Sequence, residues 1–138
     1  MSYFRLSLID FLRESHPERL IDNRFIISRT NAASEAHEQA LHDGSSSIEA
    51  AEQANAVLFK DLHFSKHDTL LSILWSEFSG EVPEDDAKSL AIKLLPLCEP
   101  IFSKYILTDD FAYEPEYELL YSELTGAVAL YLESSGIQ

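Results

Sequence analysis

Large apolar side chains recur three or four residues apart along most of the chain, which is the period of an amphipathic helix. The first such segment predicts a helix over about residues 3–14, with Phe4, Leu8, Phe11 and Leu12 on one face. No stretch alternates with the period of a strand, and 4 Gly and 5 Pro are too few for the frequent turns of an all-β chain. The pattern therefore predicts an all-α protein.

Residues that cap helices predict where the next two helices begin. Asp22 precedes a helical pattern over residues 23–42, and Ser46 and Glu49 have the spacing of a capping box that opens a helix to about residue 60. The stripe of this second helix that we expect to be buried is Ile48, Ala51, Ala54, Val57 and Leu58.

The most apolar segment of the chain lies at residues 70–78, after a candidate cap at Ser65. Its six large apolar residues are Leu70, Leu71, Ile73, Leu74, Trp75 and Phe78. This number exceeds one face of a helix, so we predict a central helix that is contacted from several sides, with Trp75 well buried.

Two more helices are predicted between residue 83 and about residue 133. The first begins in the acidic residues after Val82, and Pro96 and Pro100 predict a kink or break within it, since proline removes a backbone hydrogen bond. The second spans about residues 116–133 after a loop at residues 108–115. We expect it to bury Leu120, Leu124, Val128 and Tyr131 or Leu132. The fold expected for residues 1–138 is a single-domain multihelical bundle of about five to seven helices.

Composition excludes several classes of function. The chain has 24 acidic residues against 10 Lys and Arg, a formal charge of −14, which argues against direct binding to nucleic acid or to an anionic membrane. Arg5, Asp10 and Arg13 interrupt the apolar N-terminal segment, so no secretory signal is expected and the predicted location is the cytoplasm. Cys98, the only cysteine, has apolar neighbours and is predicted to be an inert core residue. The four glycines form no phosphate-binding loop, and no cofactor is expected.

Two histidines four residues apart, His63 and His67, are the strongest candidates for catalytic chemistry, because this spacing can chelate a metal on one helix face. The residue after His63 is Phe64 rather than the Glu of the zinc-protease motif, and the cap at Ser65 places His63 before the helix. We therefore expect no metal there. A metal-dependent enzyme that uses these histidines and nearby carboxylates remains an alternative, and an acidic mimic of nucleic acid is a third.

An acidic segment rich in aromatic residues, at positions 109–121, is the candidate binding surface. Residues 105–138 contain no Lys or Arg and have a net charge of −7. The residues we expect to contact a basic partner protein are Asp109, Asp110, Phe111, Tyr113, Glu114, Glu116 and Tyr117. Rings supply contact area and carboxylates pair with Arg or Lys. The alternative is that the rings fill the core while the carboxylates face water.

Self-association is the second interaction that the sequence suggests. Residues 3–12 carry more large apolar side chains than one helix face can bury, namely Tyr3, Phe4, Leu6, Leu8, Ile9, Phe11 and Leu12. An exposed remainder would favour a homodimer. The alternative is that this helix is covered on several sides by its own chain.

Two stretches carry a resemblance to a known family, LHFSKHDTLLSILWSEF at residues 62–78 and LLPLCEPIFSKYILTDDFAYEPEYELLYSELTG at residues 94–126. The chain resembles small proteins from Bacteroides and Porphyromonas catalogued as domain of unknown function 1896. The resemblance implies an all-helical fold and a link to mobile genetic elements. It implies no activity and no catalytic residue. The function expected from the sequence is therefore a protein-interaction module rather than an enzyme.

Overall fold

The computed structural model describes residues 3–135, and within them every regular element is helical. The six α-helices are α1 (Tyr3–Ser15), α2 (Asn23–His42), α3 (Ser47–Leu58), α4 (Lys66–Glu77), α5 (Glu84–Phe102) and α6 (Glu116–Ser135). Short 3-10 turns lie at Pro17–Arg19 and Phe111–Tyr113. The all-α prediction and the expected number of helices are confirmed.

The helices divide into two compact units, with α1–α3 in residues 1–63 and α4–α6 in residues 64–138. The prediction of one domain over residues 1–138 stays a prediction.

In the first unit, the predicted caps set the helix boundaries. The side chain of Asp22 accepts a hydrogen bond from the Phe25 amide at 3.1 Å, and Ser46 and Glu49 form both bonds of the capping box. Gly44, between α2 and α3, has a φ of 94°, a conformation that favours glycine. These are the boundaries that the sequence predicted.

The core of the first unit combines leucines with alanines. Its buried members are Leu8, Leu12, Ile26, Ala33, Ala54, Leu58 and Leu62. Ala33 and Ala54 are fully buried, and such small side chains let α2 and α3 approach closely. The predicted stripe of α3 was partly wrong: Ile48 is 72% exposed, and the buried positions are Ala50, Ala54 and Leu58, four residues apart. The buried face of α3 therefore runs through Ala50, Ala54 and Leu58 and leaves out Ile48.

In the second unit, α4 is the central helix, as predicted, and packs against both α5 and α6. Ser65 caps it by accepting a hydrogen bond from the Asp68 amide at 2.9 Å. Its buried residues point to more than one side: His67, Thr69, Leu70, Leu71, Ile73 and Leu74. The predicted stripe of α6 is also confirmed, because Leu120, Leu124, Val128 and Leu132 are buried.

Trp75 is the clearest error of the sequence-based core. It is 45% exposed, although Leu74 beside it is buried. On a helix of about 100° per residue, Trp75 lies about 20° from the exposed Asp68 and about 40° from the buried Leu71, at the edge of the buried face. The core is filled from the other positions of α4, so the indole lies at the surface.

Of the kink or break predicted near Pro96 and Pro100, the break is wrong, because α5 is continuous from Glu84 to Phe102, and the kink stays a prediction. The two prolines cannot donate to the carbonyls of Ile92 and Pro96, four residues earlier in the helix. Ile92, Pro96 and Pro100 all lie at exposed positions. Water can therefore hydrate the carbonyls, and the helix continues.

Within the part of the chain that the structure describes, none of the helices combines the length and the apolar character needed to span a membrane.

Cys98 is buried in the core of the second unit, as predicted, and burial raises the pKa of its thiol.

Candidate functional site

The connection between α5 and α6, which carries the predicted binding residues, is a succession of tight turns. Backbone amides of Phe111, Tyr113 and Glu114 donate to the carbonyls of Thr108, Asp110 and Phe111 at 2.9–3.0 Å. Tyr117 then donates to the Glu114 carbonyl at 3.0 Å where α6 begins. These bonds fix the backbone on which the acidic side chains are presented.

Phe111 anchors this connection in the core of the second unit. The side chain is 1% exposed, and its ring centroid lies 5.3 Å from that of Phe64, 5.8 Å from Tyr105 and 6.3 Å from Tyr117. Such edge-to-face packing is favourable beyond the apolar area it buries. Phe111 therefore contacts the protein's own core, which corrects its assignment to a partner-binding surface.

Tyr117 is also mainly a structural residue. Its ring is half-buried, packs 6.1 Å from Tyr121 and belongs to the layer around the core of the second unit. Burial raises the pKa of its hydroxyl. The Tyr121 hydroxyl donates to a carboxylate oxygen of Glu77 on α4 at 3.1 Å. For the rings of Tyr117 and Tyr121, the structure therefore fits the alternative in which the aromatic residues fill the core rather than the one in which they contact a partner.

Tyr113 differs from the other aromatic residues of the segment, because 89% of it is exposed. It lies two residues after the buried Phe111, at the end of the 3-10 turn. Asp110, Glu114 and Glu116 are exposed on either side of it in the chain, whereas Asp109 is half-buried and has a partner of its own. We call Asp110, Tyr113, Glu114 and Glu116 the Tyr113 surface.

The last cation of the sequence does not neutralise this surface. The Lys104 ammonium and the Tyr105 hydroxyl both donate to the carboxylate of Glu123 on α6. These hydrogen bonds hold the pKa of Glu123 below its ordinary value, and the bond to Glu123 raises the pKa of Tyr105. Lys104 is thus paired with a carboxylate outside the Tyr113 surface.

His63 and His67 do not lie together on one face of a helix, as metal chelation by this pair would require. The helix begins at Lys66, so His63 precedes it, and the His67 side chain is buried at 3% exposure. The His67 Nδ1–H donates to Asp68 at 3.1 Å, and within residues 3–135 its buried Nε2 has no hydrogen-bond partner. In the same residues, no three His, Cys, Asp or Glu side chains form a group that could hold a metal. The metal-dependent enzyme stays an untested alternative.

The exposed apolar area of α1 is smaller than the sequence suggested. Tyr3 is 70% and Leu6 49% exposed, but Phe4, Ile9 and Phe11 pack against the core of the first unit. The covering by its own chain that we considered as an alternative accounts for most of the helix. A homodimer through residues 3–12 stays a prediction that now depends on Tyr3 and Leu6.

Sequence reasoning missed one feature with an exposed aromatic ring, the cavity beside Trp75 between α4 and α5. The sequence pattern did not distinguish this position, because Trp75 lies between the exposed Asp68 and the buried Leu71 around α4.

Comparison with known proteins identifies a family and a related structure. The model of the family described as domain of unknown function (DUF1896) matches residues 1–137. The crystal structure of protein PG0816 from Porphyromonas gingivalis is similar to this chain, with a TM-score of 0.93 and 43% sequence identity. The likeness covers 99% of this chain and 93% of that one. A comparison with curated proteins finds no match.

Proposed function

This chain belongs to the family described as domain of unknown function (DUF1896), and we propose that it is a non-catalytic protein-interaction module that binds a basic partner through the Tyr113 surface. The observation that carries the proposal is the 89% exposure of Tyr113 next to the buried anchor Phe111. A tyrosine in water gains nothing for the fold, whereas at an interface it supplies a large contact area and a hydroxyl.

Rigidity supports the proposal. A flexible loop loses conformational entropy when it binds, which subtracts from affinity. Here the amides of Phe111, Tyr113 and Glu114 are already bonded within the turns, and the Phe111 ring is fixed by its neighbours in the core. The position of Tyr113 is therefore set before a partner arrives.

Charge defines the chemistry of the partner. Asp110, Glu114 and Glu116 are exposed, and no Lys or Arg follows Lys104 in the sequence. A surface of one sign attracts a partner of the opposite sign and accelerates encounter, and salt weakens this attraction. A protein segment rich in arginine or lysine fits these requirements.

The test uses a fluorescein-labelled peptide of alternating arginine and alanine, with anisotropy measured at about 50 and 500 mM NaCl. Binding is expected at low salt and weaker binding at high salt. Tyr113→Ala should lower the affinity about fivefold or more, as truncation of an interface anchor does. Tyr3→Ala is the matched control, since it removes an exposed tyrosine from α1. Equal losses from the two substitutions would contradict the proposal.

A charge-matched pair of variants separates the local surface from net charge. Glu114→Gln with Glu116→Gln removes two carboxylates next to Tyr113, and Glu35→Gln with Glu38→Gln removes two carboxylates from α2. The first pair should weaken peptide binding more than the second. If both pairs weaken it equally, the peptide responds only to the overall negative charge, and the proposed surface is wrong.

A further inference from the structure

A cavity of about 420 Å³ lies where α4 ends and α5 begins, and it is lined by Trp75, Ser79, Val82 and Glu84. Its volume is within the range of about 300–1,000 Å³ that is typical of ligand sites. The turn that shapes it is fixed by hydrogen bonds from the Glu81 and Val82 amides to the Phe78 carbonyl, at 3.0 and 2.9 Å. Val82 is 4% exposed, so it connects the floor of the cavity to the core of the second unit.

The lining combines an aromatic ring with a carboxylate. Trp75 is 45% exposed, and Glu84 is exposed in the first turn of α5. Indole is the aromatic group that attracts a cation most strongly through its face. A guanidinium is planar and weakly hydrated, so it can stack on such a ring while its N–H groups donate to a carboxylate.

The first unit of the same chain shows the pairing of guanidinium with a ring. The central carbons of the Arg19 and Arg29 guanidinium groups each lie 4.7 Å from the centroid of the Phe25 ring. In the cavity, the ring and the carboxylate belong to this chain, whereas the complementary cation would come from another molecule.

The local charges favour a cation despite the start of a helix. The N-terminus of α5 contributes about half a positive charge, but Glu84, Asp85 and Asp86 carry three negative charges in the same turn. A smaller cavity of about 240 Å³ continues beyond Val82. Its lining is Val82, Pro83, Asp86, Ser89, Leu90 and Lys93. Lys93, its one cation, therefore lines the neighbouring cavity rather than the one beside Trp75.

We propose that the cavity between Trp75 and Glu84 is a binding site for an arginine side chain of a partner protein. The guanidinium stacks on the exposed indole and donates hydrogen bonds to the Glu84 carboxylate. This site is distinct from the Tyr113 surface and goes beyond the interaction proposed there, because it defines a second contact with a specific side-chain chemistry.

The only tryptophan of the chain provides the measurement, because its fluorescence reports on this cavity alone. The probe is N-acetyl-arginine amide, and its neutral isostere N-acetyl-citrulline amide is the control ligand. We expect a saturable change in Trp75 fluorescence with the arginine compound, at roughly millimolar concentrations for so small a ligand. Citrulline amide should give no saturable change. An equal response to tetramethylammonium chloride would show a general cation effect and overturn the assignment to arginine.

Two variants test whether N-acetyl-arginine amide binds at Glu84. Glu84→Gln should weaken binding of the arginine compound about threefold or more, because it removes both a charge and the carboxylate in the lining of the cavity. Asp85→Asn removes the same charge one residue later, outside that lining, and should weaken binding less. Circular dichroism checks that each variant keeps the fold of the wild type. Equal affinities for Glu84→Gln and the wild type would contradict the site.

The experiment also separates this site from the Tyr113 surface. Tyr113→Ala is expected to leave the Trp75 response intact, even if it abolishes binding of the arginine–alanine peptide. Loss of the Trp75 response in Tyr113→Ala would mean that the two sites are not independent, and the proposal of a separate arginine site would fail.

Discussion

In residues 3–63, Arg19 and Arg29 contact the protein's own rings and backbone, whereas residues 64–135 pack rings on one another and leave the carboxylates of the Tyr113 surface exposed to water. In the first unit, Nη1 of Arg29 donates to the carbonyls of Leu58 and Lys60 at 3.2 and 2.6 Å, beyond the end of the α3 hydrogen-bond ladder. The Phe25 ring lies under the same guanidinium. In the second unit, five rings form a connected cluster, namely Phe64, Tyr105, Phe111, Tyr117 and Tyr121.

The contrast changes the interpretation of the uneven distribution of charge along the sequence. All five arginines lie in the first 30 residues, which at first suggests a basic surface. Arg19 and Arg29 instead stabilise the first unit internally, and Arg13 forms an ion pair with Asp10 at 3.0 Å. The carboxylates of the Tyr113 surface, by contrast, are exposed to water. A charged segment therefore indicates a binding partner only when its side chains do not already contact groups of their own chain.

The largest expected effect comes from the aromatic anchor of the second unit. Phe111→Ala should lower the free energy of unfolding by about 3–5 kcal/mol, because it removes a fully buried ring and leaves a cavity. The measurement is urea denaturation followed by circular dichroism. Tyr113→Ala, two residues away, is expected to change the same quantity by less than about 0.5 kcal/mol, as an exposed substitution does. Similar losses for the two variants would show that the buried and exposed roles of these rings are assigned wrongly.

The contacts of Arg29 within the first unit predict a smaller loss in the free energy of unfolding than that of Phe111→Ala. Arg29→Ala should destabilise the protein by about 1.5–3 kcal/mol, since carbonyls at the end of α3 lose a charged donor. The matched control is Arg24→Ala, which removes an exposed guanidinium from the same helix. Urea denaturation of both variants distinguishes a structural arginine from a surface charge. If Arg24→Ala cost as much as Arg29→Ala, net charge rather than the carbonyl contacts would account for the effect.

The helix boundaries were the part of the fold that local sequence could predict. Asp22, Ser46 and Ser65 each cap a helix as expected, because a cap depends on residues within three positions of it. The α6 stripe was also predictable, since its apolar positions repeat regularly over several turns. Periodicity and capping chemistry are contained in short segments and need no knowledge of neighbouring helices.

The buried face of a crowded or weakly apolar helix was not predictable in the same way. Trp75 and Ile48 were assigned to the core by their size, but neighbouring helices contact other positions of α4 and α3. Phe111 lies in a connection with no periodic pattern, so its burial follows from the rings that surround it in space. The candidate site could be predicted as an acidic segment, but which of its rings faces solvent required the structure.

A pH-dependent effect at Glu18 is the smallest prediction and tests the internal contacts of the first unit. Burial raises the pKa of this carboxyl, but the His16 ring, whose Nδ1 lies 3.9 Å from Glu18 Oε2, lowers the pKa by more, so the net pKa lies below the ordinary value of 4.5. The unfolded chain therefore binds a proton at Glu18 at a higher pH than the folded chain does. This contribution to stability is complete above the ordinary pKa and is lost as the pH falls through the lowered one.

The measurement compares the wild type with Glu18→Gln by urea denaturation at about pH 7, 5, 4 and 3. The amide cannot ionise, so the stability advantage that the wild type has at pH 5 should shrink at pH 4 and pH 3, below the ordinary carboxyl pKa. Glu38→Gln, which removes a carboxylate from α2, controls for the loss of one negative charge. The effect is expected to be modest because about a third of the Glu18 side chain is exposed, and solvent screens its interaction with His16. An advantage that grows as the pH falls from 5 to 3 would mean that the contact with His16 favours the protonated acid, and the stabilising role of the Glu18 carboxylate would be wrong.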